Sequence, residues 1–232
     1  LLGGWISVIG SQGNSLVLMI LCGSLYTFYM GIKNSRPLLH SSLIISLIIG
    51  SSLTLKSVNW TTPSHEIPVS IHQPNLTLEE KWSYQGIAKT KEMFENSIDQ
   101  ALESELVIFP ETALIQTQSE LGTWIQDINE ASKIKDISLL TGIIARNEEE
   151  RANNLMRNRI IGLGSASGSY DKQQLVPFGE FVPLERFFGK LLDLMGLNLT
   201  NTIPGDQFTL IESTFLKISP SICYEIAYAN LI

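Results

Sequence analysis

The pattern of hydrophobic and polar positions changes sharply about sixty residues into the chain. Residues 15–32 and 37–56 form two apolar runs, each close to the length at which a helix crosses a bilayer. Lys33 and Arg36, between these runs, are the only formally charged side chains in residues 1–55. Two such runs in succession are rare in a soluble core, although two buried helices are the alternative. The pattern therefore predicts two transmembrane helices.

The charges next to these runs indicate how the chain is oriented. Cationic loops stay on the cytoplasmic side of a membrane, so the loop with Lys33 and Arg36 is expected to face the cytoplasm. Everything from about Pro63 onward is then expected on the outer side. We therefore predict a membrane region over 1–62 and an outer domain over 63–232.

The outer domain alternates helical and strand patterns. Apolar residues recur at helical spacing over 79–104 and 119–134, which predicts two helices. Short apolar runs bounded by turn-forming residues predict strands at 67–72, 106–109, 138–145, 157–163 and 209–222. Helices that alternate with short apolar strands are typical of an α/β domain with helices packed outside a sheet. The pattern therefore predicts the α/β fold class.

One further segment is strongly amphipathic. Six apolar residues recur at helical spacing after Pro183, and charged residues fill the other side. The six are Leu184, Phe187, Phe188, Leu191, Leu192 and Met195. This pattern is compatible with core packing and also with a lid that dips into the bilayer surface, and the preceding apolar runs favour the lid.

Composition excludes several classes of function. The formal net charge is −7 and no basic block is present, so nucleic-acid binding is not expected. The sequence has no Cys/His cluster and no Gly-rich phosphate loop, so we expect neither a metal nor a cofactor. The chain has no initiator Met and stops in mid-pattern at Leu231 and Ile232. We therefore expect it to be part of a longer protein.

Three side chains of the outer domain could carry chemistry. Cys223 is the only cysteine beyond the first sixty residues, and a lone thiol in an exported domain has no disulfide partner. Glu111 follows the predicted strand at 106–109, and Lys172 precedes the apolar run at 175–178. Taken singly, they are explained as a buried thiol, an exposed acid and a solvated lysine. Together they supply the nucleophile, the base and the oxyanion-stabilising cation of covalent acyl transfer.

The sequence around these residues resembles a known family. Phe-Pro-Glu-Thr at 109–112, Tyr-Asp-Lys-Gln-Gln-Leu-Val-Pro-Phe-Gly-Glu-Phe-Val-Pro at 170–183 and Ile-Cys-Tyr-Glu at 222–225 are similar to motifs of the nitrilase superfamily. The long second motif and the preceding apolar runs resemble its membrane-embedded branch, the apolipoprotein N-acyltransferase family. The resemblance implies a nitrilase-like α-β-β-α sandwich, incomplete at its C-terminus and preceded by transmembrane helices. It also implies a bacterial inner membrane, with the catalytic domain in the periplasm.

The resemblance also implies roles at the matching positions. Glu111 would be the general base, Lys172 the cation that stabilises the oxyanion, and Cys223 the nucleophile that carries a thioester. The supporting positions are Glu180, the family's second glutamate, Tyr224 and Glu225, which follow the nucleophile, and Trp82, which matches a tryptophan near the acyl-chain entrance.

The implied reaction moves an acyl chain from a phospholipid to the N-terminal amino group of a diacylglyceryl-cysteine in an apolipoprotein. The expected partners are therefore a phospholipid donor, a diacylated apolipoprotein acceptor and the membrane. Two alternatives stay open: a membrane-tethered nitrilase-type amidase that cleaves a small amide, and a non-catalytic relative that binds lipoproteins. The amphipathic segment favours the acyltransferase, because a small-amide hydrolase has no use for an apolar arm beside its pocket.

Overall fold

The computed structural model describes residues 2–64, 66–101, 106–181, 202–228 and 231. The chain forms two compact units, Leu1–Glu66 and Ile67–Ile232. The predicted lid residues Leu184, Phe187, Phe188, Leu191, Leu192 and Met195 lie outside the described residues. Their helix and its membrane contact stay predictions.

The first unit is a pair of long helices, α1 (Gly3–Lys33) and α2 (Leu39–Lys56). Both are long and apolar enough to cross a membrane. α1 begins well before the predicted span at 15–32 and is interrupted at Gly10, whose φ is 67°. Glycine adopts this left-handed conformation without a steric penalty, so it permits the kink.

Small residues let α1 and α2 approach closely. A β-carbon added at Gly4 of α1 would lie 2.0 Å from the carbonyl oxygen of Ser52 of α2.

The serine hydroxyls at the start of α2 are paired locally. Ser41 and Ser42 donate hydroxyl hydrogen bonds to the carbonyl oxygen of Leu38, at 3.0 and 2.8 Å. Because such hydroxyls are satisfied by the helix's own backbone, they can be accommodated in an apolar surrounding.

The second unit contains two sheets. The larger sheet has the strand order β1 (Val69–Ile71), β2 (Leu106–Ile108), β3 (Ser138–Ala145), β4 (Arg157–Gly164) and β6 (Ser169–Asp171). β1, β2 and β3 are parallel, whereas β4 runs antiparallel to both β3 and β6. The smaller, antiparallel sheet contains β5 (Ala166–Ser167), β7 (Ile211–Ser213) and β8 (Lys217–Ile218).

Helices occupy the connections between the strands of the larger sheet. They are α3 (Leu78–Lys81) and α4 (Tyr84–Gln100) before β2, α5 (Gln118–Leu121) and α6 (Thr123–Ile134) before β3, and α7 (Glu148–Ala152) before β4. A short 3-10 helix, Cys223–Ala227, follows β8.

The larger sheet has hydrophobic cores on both faces. Val107 of β2 lies in the core that contains Phe94 of α4, whereas its neighbour Leu106 lies in the core that contains Ile211 of β7. All eight residues of β3 are buried, as expected for a strand covered on both sides. The layers therefore run helix, sheet, sheet, and the predicted α/β fold class is confirmed.

Local breaks divide both predicted helices. The prediction of one helix over 79–104 is wrong, because the Ser83 hydroxyl accepts a hydrogen bond from the Gly86 N–H at 3.0 Å and begins a new helix there. The helix predicted over 119–134 is interrupted at Gly122, whose φ is 59°. Both interruptions leave unchanged the apolar spacing in the sequence from which the helices were predicted.

The prediction of one strand over 209–222 is also wrong. This stretch forms the hairpin of β7 and β8, in which the Ser213 N–H donates to the Leu216 carbonyl oxygen at 2.9 Å. Irregular chain then leads to Cys223, which begins the 3-10 helix and does not end a strand. The short elements β5, β6 and α7 were not predicted, because two to five residues leave too little periodicity to recognise.

Phe94 joins α4 to the chain that follows β2. Its side chain is fully buried, and its ring stacks on Phe109 with the ring centroids 3.6 Å apart. We expect Phe94→Ala to lower the free energy of unfolding by about 3–5 kcal/mol, because it leaves a cavity. The control is Ile134→Ala, at a residue that is 84% exposed, with an expected change below about 0.5 kcal/mol. Denaturant unfolding measures both, and equal effects would contradict the description of this core.

Candidate active site

Glu111 lies three residues beyond the C-terminal end of β2. The preceding Phe109 is buried, and its N–H donates to the Leu140 carbonyl oxygen at 2.8 Å. The chain then crosses β3 at Gly142, where a β-carbon would lie only 2.3 Å from the Thr112 nitrogen. The absence of a side chain at Gly142 therefore lets the loop lie close to the sheet and fixes the position from which Glu111 extends.

Lys172 directly follows β6, and its side chain is 1% exposed. Its backbone N–H donates to the Asn158 carbonyl oxygen at 2.9 Å, which continues the pairing with β4. The ammonium nitrogen Nζ donates to Glu180 Oε1 at 2.8 Å and to Glu111 Oε1 at 3.4 Å. The structure therefore brings Lys172 together with two of the three predicted glutamates, Glu111 and Glu180.

Glu180 is held by a tight turn over 176–181. The Val176 N–H donates to Glu180 Oε2 at 2.8 Å, and the Glu180 N–H donates back to the Val176 carbonyl oxygen at 2.9 Å. The backbone therefore orients this carboxylate independently of Lys172. The Glu180 carboxylate is therefore already oriented, and little side-chain entropy is lost when it pairs with the Lys172 ammonium group.

The charge of Lys172 results from two opposing effects. Burial lowers the pKa of the amine, because the charged form loses its hydration. The hydrogen bond to Glu180 and the charges of Glu111, Glu180 and Cys223 raise the pKa, and it lies above its usual value. Lys172 is therefore an ammonium group at neutral pH, within electrostatic reach of the sulfur of Cys223.

Cys223 is exposed and has a φ of 56°. This left-handed conformation costs a residue with a β-carbon roughly 1–2 kcal/mol. Thr112, next to Glu111, and Phe178, in the turn that holds Glu180, also have positive φ values, of 49° and 61°. Backbone strain of this kind persists where surrounding contacts fix the chain, and it gathers at functional sites.

Glu225 ties the Cys223 turn to the chain around Lys172. Its carboxylate is completely buried and accepts four hydrogen bonds. The donors are the Tyr170 hydroxyl at 2.9 Å and the backbone N–H groups of Gln173 at 2.7 Å, Gln174 at 3.0 Å and Ile222 at 2.8 Å. Burial and the hydrogen bond to Glu225 raise the pKa of Tyr170, so its hydroxyl remains a donor.

Two further predicted site residues, Tyr224 and Trp82, lie at the surface. Tyr224 is 65% exposed and Trp82 is 57% exposed. Trp82 follows Lys81, the last residue of α3. Burial lowers the pKa of Lys81, and the charge of Glu111 acts in the opposite direction. The charge of Glu111 therefore acts on Lys81, the neighbour of Trp82.

Asn158 belongs to the site and was missed in the sequence. It lies in β4, and its side-chain nitrogen Nδ2 donates a hydrogen bond to Glu111 Oε1. A polar residue inside a strand is the sequence feature that could have marked Asn158 as a site residue. That signal was hidden because Arg157 and Arg159 on either side make this end of β4 polar throughout.

These side chains provide what a covalent reaction at a carbonyl group requires. The exposed thiol of Cys223 can attack, the carboxylate of Glu111 can take up a proton, and the ammonium group of Lys172 can balance a developing negative charge. Among the residues that the structure describes, no group of three or more His, Cys, Asp or Glu side chains could hold a metal ion.

An α/β domain that carries a thiol, a carboxylate and an ammonium group is compatible with a thiol enzyme, and comparison with known proteins identifies the family. A family model of carbon–nitrogen hydrolases matches residues 69–232. The chain belongs to the carbon–nitrogen hydrolase family.

Similar curated proteins are apolipoprotein N-acyltransferases. The Azotobacter vinelandii protein is 29% identical over 197 residues, which are 83% of this chain and 38% of the relative. The Photobacterium profundum protein is 25% identical over 237 residues, 97% of this chain and 44% of the relative. The Methylococcus capsulatus protein is 28% identical over 94% of this chain and 43% of the relative. The chain therefore spans about two fifths of the length of these relatives.

Among solved structures, a carbon–nitrogen hydrolase from Helicobacter pylori G27 is similar with a TM-score of 0.46 and 16% sequence identity. The match covers 71% of this chain and 54% of that chain.

The burial of Glu225 gives a test of how the site is held together. In Glu225→Gln one acceptor oxygen becomes an NH₂ donor. With the amide oxygen in the place of Oε1, the buried N–H of Ile222, which donates to Oε2, loses its partner. We expect the free energy of unfolding to fall by roughly 1–3 kcal/mol, measured by thermal unfolding. Glu212→Gln, at a side chain that is 63% exposed, is the matched control and should change little. If both variants unfold like the parent, Glu225 does not hold the Cys223 turn.

Proposed function

We propose that the protein carrying this sequence transfers an acyl chain from a phospholipid to the N-terminal amino group of a diacylglyceryl-cysteine in apolipoproteins. The observation that carries the proposal is the buried Lys172 ammonium group, which donates to both Glu180 and Glu111. Glu225 connects the chain next to Lys172 to the turn that presents the exposed Cys223 thiol. The similarity to apolipoprotein N-acyltransferases, which extends over 94% and 97% of the chain in two relatives, supports the choice of substrates.

In the first step of the proposed reaction Cys223 is acylated. Glu111 takes the thiol proton while the sulfur attacks an ester carbonyl of the phospholipid. Lys172 stabilises the oxyanion that forms on the carbonyl oxygen, an electrostatic contribution that is often the largest in such reactions. The ester C–O bond then breaks, and the lysophospholipid leaves as an alcohol with the proton from Glu111. The acyl chain remains on the sulfur as a thioester.

In the second step the amino group of the acceptor attacks the thioester. A new C–N bond forms, the C–S bond breaks, and the thiolate leaves. Glu111 takes one proton from the attacking amine and passes it to the sulfur, which regenerates the thiol. Acylation followed by transfer through the same thiol is a ping-pong sequence.

The supporting residues receive roles from their surroundings. Glu180 would keep Lys172 charged and oriented, and Glu225 would hold the turn that presents Cys223. Tyr224 and Trp82 are exposed aromatic side chains that would contact the acyl chain beside the nucleophile. The lid proposed over the segment from Leu184 to Met195 would add an apolar surface toward the lipid.

The proposed location is a bacterial inner membrane, with α1 and α2 as two of its spans and the second unit in the periplasm. The length and apolar composition of both helices support this location. Lys33 and Arg36, near the turn between the helices, support a cytoplasmic position for that turn.

A membrane-tethered amidase is the second candidate, because carbon–nitrogen hydrolases define the family that the chain matches. In an amidase, water would resolve the acyl-enzyme and the donor would be a small amide. The acyltransferase is favoured because the matches to the acyltransferases in two relatives extend through both apolar helices and are not confined to the second unit. A purely lipoprotein-binding protein would need neither a buried ammonium nor a nearby thiol.

Replacement of the nucleophile tests the covalent step. The intact protein is reconstituted in vesicles with acyl-labelled phospholipid and a diacylated lipopeptide, and mass spectrometry follows the acyl group. We expect Cys223→Ala to lose both the acyl-enzyme and the triacylated product, because no sulfur is left to carry the thioester. Cys22→Ser, in α1, is the matched control and should keep both. An acyl adduct in Cys223→Ala would exclude Cys223 as the nucleophile.

Replacement of the base tests the proton transfer. Glu111→Gln keeps the size of the side chain and removes its capacity to accept a proton. We expect the acylation rate constant to fall by about 10²–10⁴-fold, measured in a single turnover with labelled phospholipid. Glu148→Gln, an exposed residue of α7, should acylate like the parent. An unchanged rate in Glu111→Gln would remove this residue from the mechanism.

A further inference from the structure

One oxygen of the Glu111 carboxylate receives two donors. The Lys172 ammonium nitrogen lies 3.4 Å from Oε1, and the side-chain nitrogen Nδ2 of Asn158 donates to the same atom. Within the part of the chain that the structure describes, no hydrogen bond reaches the other oxygen, Oε2. The two donors therefore fix the carboxylate through one oxygen and leave the second available.

Asn158 is placed to hold both groups at once. Its position in β4 is set by its pairing with Ile144 of β3. Its backbone carbonyl oxygen accepts the N–H of Lys172 at 2.9 Å, while its side chain extends to Glu111. A single residue of a central strand therefore sets the spacing between the carboxylate and the ammonium group.

The other end of the Asn158 amide has no partner. Its oxygen Oδ1 is buried and, among the described residues, accepts no hydrogen bond. Exchange of the two amide ends would place this oxygen against the Glu111 carboxylate, where two acceptors would repel each other. Glu111 therefore determines the orientation of the amide, and the buried oxygen is left unsatisfied as a consequence.

An unsatisfied buried acceptor weakens the folded state. A residue that served only the fold would be better replaced here by an apolar side chain of the same size. Buried polar atoms normally form hydrogen bonds, and residues that break this rule without a gain in stability are expected at functional sites. The orphaned oxygen therefore indicates that Asn158 is present for its contact with Glu111.

We propose that Asn158 is a positioning residue for the base: it fixes Glu111 through Oε1 so that Oε2 is the oxygen that accepts the Cys223 proton. The proposal rests on the proposed function for the role of Glu111. It adds a further side chain on which the reactivity of the thiol depends, one that acts through its hydrogen bond to Glu111.

The test uses the reactivity of the thiol and needs no lipid. Iodoacetamide alkylates Cys223 in the intact Cys22→Ser protein, and peptide mass spectrometry follows the modified cysteine over time. We expect Asn158→Leu and the isosteric Asn158→Asp to slow alkylation by roughly 10- to 100-fold, the effect of a displaced catalytic group. Both should approach the rate of Glu111→Gln.

Two comparisons separate positioning from a structural role. In a Glu111→Gln background, Asn158→Leu should slow alkylation no further, because residues that act through one another are not additive. The melting temperature of Asn158→Leu should stay close to that of the parent, because removal of the orphaned oxygen offsets the lost hydrogen bond to the partly exposed Glu111. The control is Asn129→Ala, which loses a hydrogen bond to the Gly164 N–H of 2.9 Å and should melt earlier with unchanged alkylation.

Each outcome decides the proposal. Slower alkylation at an unchanged or higher melting temperature, with no added effect in Glu111→Gln, supports it. Unchanged alkylation, an additive effect in Glu111→Gln, or loss of the fold in both Asn158 variants overturns it. A parent protein that yields no triacylated lipopeptide but shows this alkylation pattern would refute the acyltransferase proposal and leave the role of Asn158 standing.

Discussion

The Lys172 ammonium group is almost completely buried, and its contacts with Glu180 at 2.8 Å and Glu111 at 3.4 Å offset the hydration that it loses. An ammonium group buried without partners would cost several kcal/mol. Since the pKa of Lys172 nevertheless lies above its usual value, pairing outweighs burial. The carboxylates of Glu111 and Glu180 therefore stabilise the buried, charged form of Lys172, on which both the local fold and the proposed chemistry depend.

The partners of this ammonium group are held by backbone contacts that do not depend on it. Gly142 lets the Glu111 loop lie against β3, the turn over 176–181 orients Glu180, and Glu225 holds the Cys223 turn by four hydrogen bonds. Such pre-organisation means that little reordering is needed when charge develops during a reaction. Because Cys223 is exposed, a substrate can approach its sulfur from the solvent.

Long and continuous patterns could be predicted from the sequence, and short elements could not. β3 agrees with its prediction at 138–145, because its eight residues are all buried and most of them are apolar. The hairpin of β7 and β8 was read as one strand, since the turn between them lacks glycine and proline. α4 begins at a serine cap inside a helical pattern, where the local hydrogen bond of Ser83 decides the boundary.

The sequence by itself determined which chemical groups are available: a lone thiol, a glutamate after a strand and a lysine before an apolar run, in motifs similar to one family. It also determined the two apolar helices, because length and composition are local properties. Only the tertiary structure decided that Lys172 is buried between Glu111 and Glu180, that Glu225 joins two distant segments, and that Asn158 holds Glu111. These contacts join residues 8 to 61 positions apart, so they depend on how strands pair and turns close, which no local pattern encodes.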